Sequence, residues 1–471
     1  MQIKNIDTEK SQTIPAKNSN FLQQNPHLNS LVDNPDFVSE DILNQELIDA
    51  CVHCGFCLST CPSYRVIGKE MDSPRGRIYA MHAINKGEVS LNKTTSEHFD
   101  TCLGCLACVT TCPSNVKYDK LIAATRPQVE QNVERSLPDK LIRNLIFNLF
   151  PYPNRLRPLL IPLFVYQKLG INKLIRGSKL LEKISPRLAA MESILPEITV
   201  DSFENNYPTV IPAQGEKRYR VGMILGCVQR IFFSPVNMAT IRVLTANGCE
   251  VVIPKSQGCC AALPEHQGQI EQAHTLAKQM IDSFANTGVD AVIINAAGCG
   301  HTLKEYGNIL QDDTEYFDKA KEFSSKVKDV QEFLVNVGLI AKLSPLIEDE
   351  ELTIVYQDAC HLLHGQKISL EPRQLLQKIP GLKLKEPMDA GLCCGSAGIY
   401  NMLQPEIADE LGQQKVDNLL NTGAELIASA NPGCSLQIKK NLELQGKKMT
   451  LMHPIELLDY SIRGVKLQRK S

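Results

Sequence analysis

Short apolar runs alternate with helical patterns along the second half of the chain. The runs start at Val221, Glu250 and Asp290, and again at Leu352, Leu382 and Glu425. Between them, apolar residues of 270–284 recur at helical spacing, and Pro235 and Gly248 mark the start and end of another helix. Strands that alternate with helices predict α/β units around mostly parallel sheets.

The same runs form two copies of one cysteine pattern. A lone cysteine follows the first run, a Cys-Cys pair the second and one more cysteine the third. The eight are Cys227, Cys259, Cys260 and Cys299, then Cys360, Cys393, Cys394 and Cys434. Matching positions lie 133 to 135 residues apart, a period too long for a solenoid, so we predict a duplicated domain. Its cysteines follow strand ends, where open α/β sheets place their sites.

Net charge, cysteine number and apolar runs exclude several classes of protein. The 471 residues carry a net charge of −2, which gives no reason to expect nucleic acid. Seventeen cysteines cannot all pair as disulfides, and the chain is far larger than small disulfide-rich domains. We find no apolar core of a signal peptide and no run of eighteen apolar residues, so we expect a cytoplasmic protein whose cysteines bind metal.

Two segments, 51–62 and 102–113, share the spacing C-x2-C-x2-C-x3-C-P. Three cysteines at this interval let one tight loop reach three corners of an iron–sulfur cube, and the fourth ligates the neighbouring cluster. We therefore assign one [4Fe–4S] cluster to Cys51, Cys54, Cys57 and Cys112, and a second to Cys102, Cys105, Cys108 and Cys61. Zinc sites favour two C-x2-C knuckles across a longer loop, which fits less well.

The segment between the two motifs contains 40 residues with helical spacing, which predicts the helical variety of two-cluster ferredoxin. Within it we expect Ser73–Arg77 to form a basic turn. Its arginines either raise the potential of a cluster by offsetting its negative charge or form ordinary surface ion pairs. His53 is expected to be exposed or to lie behind the ligands.

The duplicated domain resembles the cysteine-rich (CCG) domains of the heterodisulfide reductase family. That motif ends in C-x2-C and holds a noncubane cluster, whereas Thr302 and Gln437 stand at the last position here. The first copy also has Ala261 where the second has Gly395. Each copy therefore holds one further iron–sulfur cluster on four thiolates, binds another metal, or is a degenerate scaffold. Nearby His301, His361 and His364 are either substitute ligands or structural, and unrepeated Cys249 is expected to be structural.

The whole pattern resembles the glycolate oxidase iron–sulfur subunit family over about residues 45–465. The matching stretches are 51–57, 72–79, 108–113 and 431–434. The resemblance implies that a flavin-bearing partner subunit oxidises glycolate, and often D-lactate. This chain would pass the electrons to an acceptor other than oxygen, with quinone expected. The sequence agrees, because it has no dinucleotide fingerprint or P-loop and clusters take single electrons.

A basic, apolar segment separates the two halves. Residues 140–187 have a net charge of +9, and we expect Pro151, Pro153, Pro158 and Pro162 to break them into short helices. The segment contacts an anionic membrane face near the quinone pool, packs as a connector between modules, or docks the flavin subunit. We expect the protein in the cytoplasm, and on the cytoplasmic face of the inner membrane if this segment contacts the membrane.

The predicted fold class is mixed, with an α-helical two-cluster ferredoxin module followed by a duplicated α/β cysteine-rich domain. The predicted boundaries are a flexible tail at 1–40, the ferredoxin-type module at 41–125, the basic connector at 126–215 and the two copies at 216–340 and 350–465. Three other functions remain open. They are an iron–sulfur subunit of a related glycerol-3-phosphate or lactate dehydrogenase, a heterodisulfide-reductase-like subunit with a catalytic cysteine-rich domain, and a redox- or iron-sensing scaffold.

Overall fold

The computed structural model describes residues 43–178, 180–203, 206–348 and 350–468. The predicted tail at 1–40 lies outside the described residues. Within the described ranges, no helix is both long enough and apolar enough to cross a membrane.

The region of the two cysteine motifs is helical throughout its regular structure. Its elements are α1 (Gln45–Asp49), α2 (Pro62–Ile67), a 3-10 turn (Glu70–Asp72), α3 (Pro74–Asn85), α4 (Lys93–Asp100), α5 (Ala107–Thr111) and α6 (Tyr118–Asn132). The predicted basic turn at 73–77 is wrong, since these residues start α3. Ser73 caps this helix by accepting a hydrogen bond from the backbone N–H of Gly76, and Pro74 fits the first helical position.

The basic segment and the residues around it form five helices and a final 3-10 turn. They are α7 (Leu137–Leu149), α8 (Pro153–Lys168), α9 (Ile171–Ser178), α10 (Leu180–Ile184), α11 (Pro186–Ser193) and the turn Val200–Phe203. The breaks predicted at Pro151 and Pro153 separate α7 from α8, but Pro158 and Pro162 lie inside α8. Each proline removes one intrahelical hydrogen bond. Because the two are four residues apart, they share one exposed face, where water can bind the freed carbonyls.

The first copy is a five-stranded sheet covered by helices. Its strands are β1 (Val210–Ile211), β2 (Tyr219–Met223), β3 (Cys249–Val252), β4 (Ala291–Ile294) and β5 (Val327–Asp329). Its helices are α12 (Val228–Phe232), α13 (Ser234–Ala246), α14 (Ala262–Glu265), α15 (Ile270–Phe284), α16 (Ala297–Lys304), α17 (Tyr306–Ile309), α18 (Phe317–Lys326) and α19 (Val330–Val337). The order is β1-β3-β2-β4-β5, with β1 antiparallel to β3 and the other pairs parallel.

The second copy is a four-stranded parallel sheet of order β7-β6-β8-β9. Its strands are β6 (Leu352–Gln357), β7 (Leu382–Lys385), β8 (Leu426–Ser429) and β9 (Thr450–Met452). Its helices are a π turn (His361–Gly365), α20 (Leu370–Gln377), α21 (Tyr400–Leu403), α22 (Pro405–Leu420), α23 (Pro432–Leu444) and α24 (Pro454–Arg463). In both copies the strand of the first apolar run lies between the strands of the second and third runs, with β2 between β3 and β4 and β6 between β7 and β8. The predicted α/β duplication is therefore confirmed.

The two copies share one apolar core. Leu244 of α13 in the first copy and Leu458 of α24 in the second belong to the same buried cluster. At its edge, Arg242 of α13 binds Asp459 of α24 through two hydrogen bonds of 2.8 and 2.7 Å. The copies therefore form one packed body, and this arrangement decides which of their cysteines come together.

Candidate iron–sulfur centres

The two cysteine-motif loops have the same backbone winding. Residues two and four positions after the first cysteine of each motif are left-handed, with φ of +53° and +87° at His53 and Gly55, and +63° and +64° at Gly104 and Leu106. These turns wrap the chain tightly enough to bring three closely spaced thiols to one side. The repeated spacing in the sequence therefore corresponds to a repeated loop conformation.

The first predicted set of four cysteines is gathered beside α3. Cys51, Cys54, Cys57 and Cys112 line one small cavity, which Cys108 also borders. Burial and the neighbouring Cys112 and Cys54 thiolates raise the pKa of Cys51, which reflects thiols in close proximity. Cys54 is exposed, so this group reaches the protein surface.

The second predicted set is buried. Cys61, which directly precedes α2, lies close to Cys102, Cys105 and Cys108. All four cysteines are buried. Burial and the thiolates of Cys105, Cys102 and Cys61 raise the pKa of Cys108. Cys102 accepts hydrogen bonds from the Gly104 N–H at 3.4 Å and the Tyr118 hydroxyl at 3.6 Å.

These two groups fit the donor chemistry of iron–sulfur clusters. Each consists of four thiols with no disulfide between them. Across the described residues, no three His, Cys, Asp or Glu side chains converge tightly enough for a single metal ion. A cluster is a larger body than one ion, and it needs its thiolates spread around it. The individual ligand assignments remain predictions.

Three arginines surround the cluster loops in different ways. Arg75 pairs with Glu70 at 2.6 Å and donates to the His53 carbonyl at 3.0 Å. Arg77 is 1% exposed, and its charge acts on Cys102 of the second group. Burial opposes ionisation of Cys102, yet Arg77 and Arg126 hold its pKa below the ordinary value. The sequence suggested roles for Arg75 and Arg77, but it gave no signal for Arg126.

In the two repeats the cysteines also meet in matching ways. The Sγ atoms of Cys259 and Cys227 are 3.4 Å apart in the first copy, and those of Cys360 and Cys393 are 4.0 Å apart in the second. The second thiol of each Cys-Cys pair has a lowered pKa, because two other cysteines of the same copy donate hydrogen bonds to it. The donors are Cys259 and Cys299 to Cys260, and Cys393 and Cys434 to Cys394. Each copy thus brings together the four cysteines that its sequence singled out.

The residue after each Cys-Cys pair has the same left-handed backbone in both copies. The φ angles are +65° at Ala261 and +88° at Gly395. A Cβ on Gly395 would lie 2.4 Å from the carbonyl oxygen of Ala408, so the second copy requires glycine. The alanine of the first copy costs about 1–2 kcal/mol of backbone strain but keeps the turn. The departure from the family motif at Ala261 therefore leaves the cysteine geometry intact.

The two positions where the family motif has its last cysteine are structural here. Gln437 is buried, donates to the Ala408 carbonyl at 2.9 Å and accepts from Asn401 Nδ2 at 2.9 Å. Thr302 is also buried, and its hydroxyl has no hydrogen-bond partner. Neither residue offers a thiolate, so each copy presents four thiols.

The histidines near these cysteines contact the ferredoxin-type module or one another. His364 uses both ring nitrogens, with the Thr110 hydroxyl at 2.8 Å and the Gly391 carbonyl at 3.1 Å. His361 contacts the Gly104 carbonyl at 2.9 Å, and its ring packs edge-on against His301 with centroids 4.9 Å apart. His364 therefore has a structural role, because neither of its ring nitrogens is left to bind a metal.

Cys249 lies apart from all these groups. It is the first residue of β3 and is fully buried in the shared apolar core. Burial raises its pKa to about 11, which makes it a poor thiolate donor. Its position agrees with the expected structural role.

A cavity of about 490 Å³ lies between the two repeats and the connector. All eight repeat cysteines border it. The connector supplies apolar side chains of α7, α8 and α11 to another part of the wall, among them Leu145, Leu149, Leu156, Leu159, Leu163 and Met191. Sequence reasoning missed this cavity, because helical periodicity shows that a face is apolar but not what it encloses.

The second ferredoxin-type group lies directly against the second copy. Cys105 and Cys393 belong to one buried cluster, and Cys360 packs on it. Burial and the Cys360 thiolate raise the pKa of Cys105. The Tyr400 hydroxyl fixes this contact by donating to the Thr101 carbonyl at 3.1 Å. The thiol groups therefore form a continuous series from exposed Cys54 to the cavity.

A buried lysine distinguishes the second copy from the first. Lys415 of α22 is fully buried and donates to the Ala390 carbonyl at 2.7 Å. Burial lowers its pKa, while the neighbouring Cys394 thiolate acts in the opposite direction. In the first copy, Ile281 stands 134 residues earlier on the matching helix. The second copy thus has a lysine beside Cys394 at a position where the first copy has an isoleucine.

Comparison with known proteins gives matches for the cysteine-motif region, the connector and both repeats. Residues 47–116 match the 4Fe-4S dicluster domain, residues 138–195 match the linker region of the glycolate oxidase iron–sulfur subunit, and residues 221–304 and 354–439 match the cysteine-rich domain. A probable glycolate oxidase iron–sulfur subunit of Bacillus subtilis is 39% identical over 87% of this chain and 92% of its own length.

Two further similarities extend over most of the chain. The glycolate oxidase iron–sulfur subunit of Escherichia coli is 34% identical over 88% of this chain and 94% of its own length. A crystal structure of a hypothetical protein from Helicobacter pylori matches 94% of this chain and 76% of that chain, with a TM-score of 0.51 and 11% identity. The last similarity concerns the fold alone.

Proposed function

The chain belongs to the glycolate oxidase iron–sulfur subunit family, and on that premise we propose that it carries electrons within a glycolate dehydrogenase complex. A flavin-bearing partner subunit would oxidise glycolate, with D-lactate as a second substrate. This chain would pass the electrons on to a quinone. The observation that supports the proposal most directly is the series of neighbouring thiol groups, which extends from exposed Cys54 to the cavity.

The division of labour follows from electron counting. Oxidation of glycolate to glyoxylate releases two electrons and two protons. Bound [4Fe–4S] clusters take and release one electron each, so a flavin must accept the pair and release it singly. The residues that would hold two such clusters are the eight ferredoxin-type cysteines. The repeat cysteines would hold one or two more.

We place the contact with the flavin-bearing subunit around the first cysteine group. Cys54 is the exposed member of that group, and Val52, Phe56 and Tyr79 beside it are also exposed. Exposed aromatic and apolar side chains are typical of protein interfaces. A partner seated here would bring its flavin next to the outermost cluster of the series.

We place the membrane contact on the connector. Half of the strongly exposed large apolar side chains among the described residues lie between Leu137 and Leu188. Exposed Lys168 and Lys173 lie among them. Exposed apolar residues mixed with lysines suit the surface of an anionic bilayer. A membrane position would bring this chain to its lipid-soluble acceptor.

The experiment that tests the function is anaerobic purification of the full chain with its flavoprotein partner. Two [4Fe–4S] clusters require about eight iron and eight sulfide per chain, and loaded repeats raise the iron to about twelve to sixteen. Glycolate should reduce the clusters, as followed by electron paramagnetic resonance. D-lactate and glycerol 3-phosphate, tested in parallel, separate the related dehydrogenases. Clusters that dithionite reduces but none of these substrates reduces would overturn the proposal.

A matched pair of variants tests where the electrons enter. Phe56→Ser should slow reduction by the partner and glycolate at least several-fold, because it removes an exposed aromatic side chain beside Cys54. Reduction by dithionite should not change. Leu370→Ser is the control, since Leu370 is similarly exposed but lies in the second repeat. Equal rates for the two variants would contradict this docking site.

A further inference from the structure

The cavity between the repeats has two kinds of wall. Its cysteines are suited to metal clusters, whereas the connector wall is apolar except for Glu192, whose carboxylate is already bound by Tyr166 and Arg176. A volume of about 490 Å³ lies within the range of small-molecule sites, which are mostly apolar with a few polar groups. Clusters on the cysteines would fill the thiol-lined part and leave the connector-lined part for an apolar molecule.

The cavity reaches the surface through the connector. Leu145 of α7 and Leu159 of α8 both border the cavity, yet they are 55% and 39% exposed. Their neighbours Ile146 and Leu156 border the same cavity and are buried. The two leucines therefore form a lip between interior and exterior. This lip belongs to the helices for which we propose a membrane contact, so a lipid-soluble molecule could enter without crossing water.

Two residues on the cavity wall carry amide oxygens that lack a hydrogen-bond partner. They are Oε1 of Gln229 and Oδ1 of Asn401, both of which belong to buried residues. The orientation of Asn401 is fixed, because its Nδ2 donates to Gln437, which itself donates to the Ala408 carbonyl. Both oxygens are acceptors, and the sulfides of a cluster offer no donor. A ligand with hydroxyl groups at this part of the wall would bring donors towards these two residues.

We propose that this cavity binds a lipid-soluble quinone and its quinol, with Leu145 and Leu159 at the opening and Gln229 and Asn401 toward the hydroxyl groups. The inference rests on the proposed electron-transfer function and adds the place where the acceptor binds. A quinone is apolar and becomes a diol on reduction, which matches both kinds of wall. It takes up two protons and two electrons to give the quinol; the partner's flavin would accept both electrons from the hydroxy acid as a pair and release them one at a time.

The test uses the full chain, purified anaerobically without lipid, and 2,3-dimethyl-1,4-naphthoquinone as the probe. Wild-type protein should bind it saturably in equilibrium dialysis. The double variant Leu145→Glu/Leu159→Glu places two carboxylates at the lip and should weaken binding at least tenfold. Leu137→Glu/Leu169→Glu is the matched control, because both leucines are exposed on the connector but do not border the cavity. It should bind the probe like the wild type.

Unchanged probe affinity in the lip variant, or no saturable binding by wild type, would overturn the inference. Equal iron content in all proteins establishes that the variants keep their centres. Reduction of the clusters by glycolate and the partner is measured on the same samples. If the clusters are reduced but the probe does not bind, the cavity assignment fails while the electron-transfer function stands. If the clusters are not reduced, the function itself fails.

Discussion

Arg75 and Arg77 are two residues apart, yet they have different environments. Arg75 is balanced by Glu70 at the surface. Arg77 is buried and donates to the hydroxyls of Ser63 at 3.0 Å and Thr101 at 2.9 Å. The Ser63 hydroxyl lies 3.3 Å from the Sγ atom of Cys61, a predicted ligand of the second cluster. The two interpretations offered from sequence thus apply to different residues. Arg75 forms a surface ion pair with Glu70, whereas Arg77, with Asp72 as a buried counter-charge 3.9 Å away, lies beside a predicted ligand.

Replacing Arg77 should lower the reduction potential of the second cluster. Arg77→Gln removes a buried positive charge that favours the more negative, reduced cluster. We expect a shift of about 60 mV or more, which for one electron corresponds to about 1.4 kcal/mol. Redox titration followed by electron paramagnetic resonance measures it.

Two further variants at these arginines keep the prediction testable. Arg77→Lys retains the charge and should retain most of the potential, even if some hydrogen bonds are lost. Arg75→Gln should leave the second cluster unchanged, because Arg75 contacts the first loop and is paired with Glu70. Equal potentials in Arg77→Gln and wild type would show that this buried charge has no effect on the cluster.

At the scale of elements, the connector packs on the repeats with one face and leaves another face free for the membrane contact that we propose. Ile146 of α7 and Leu160 of α8 are buried against the repeats. The opposite faces of the same helices expose leucines and lysines to solvent. Packing between modules and contact with a membrane are therefore compatible, because they use different faces.

If the connector contacts an anionic membrane, as we propose, binding to vesicles should depend on its lysine charges. Wild-type protein should co-sediment with phosphatidylglycerol vesicles at low salt and not with phosphatidylcholine vesicles. Lys168→Glu/Lys173→Glu should weaken binding more than about tenfold, since each lysine near an anionic surface contributes about 1 kcal/mol. Lys255→Glu/Lys385→Glu makes the same charge change at exposed positions outside the connector and should bind like wild type. Equal loss in both variants would indicate a general charge effect.

At the scale of the whole molecule, the two repeats are tied by polar contacts as well as by their shared core. Asp459 is 1% exposed and binds both Arg242 of the first copy and Arg463 of its own helix. His453 caps α24 by accepting from the Ile455 N–H at 3.0 Å, and its other ring nitrogen contacts the Asn295 carbonyl of the first copy at 2.9 Å. These contacts hold the two cysteine sets on either side of one cavity.

His453 should make this assembly sensitive to acid. Burial lowers its pKa from 6.5 to about 4. Below pH 6.5 the unfolded chain therefore binds a proton that the folded protein does not, so stability is complete above pH 6.5 and falls as the pH decreases towards 4. The loss from this residue is about 3 kcal/mol. Denaturant unfolding across this range should show a shallower loss for His453→Asn, which keeps the cap without titrating. Parallel curves would contradict the assignment.

The local chemistry of this protein follows from the sequence alone. The cysteine spacing fixes how short loops can wind, and the left-handed turns at His53 and Gly55 recur at Gly104 and Leu106 for that reason. The 133–135-residue repeat likewise determined two matching α/β copies, because alternating apolar runs and helices allow few other arrangements. These features depend on neighbours along the chain, so they can be recognised without the fold.

The contacts of those local features depend on the tertiary structure. Burial of Arg77 and the position of the lysine beside Cys394 both depend on residues distant in sequence. The cavity also depends on them, because it forms only where two copies and the connector pack together. Periodicity shows that a helix has an apolar face, but the partner of that face is chosen by the packing of the whole chain. The cysteines were therefore identifiable from sequence, whereas the space between them was not.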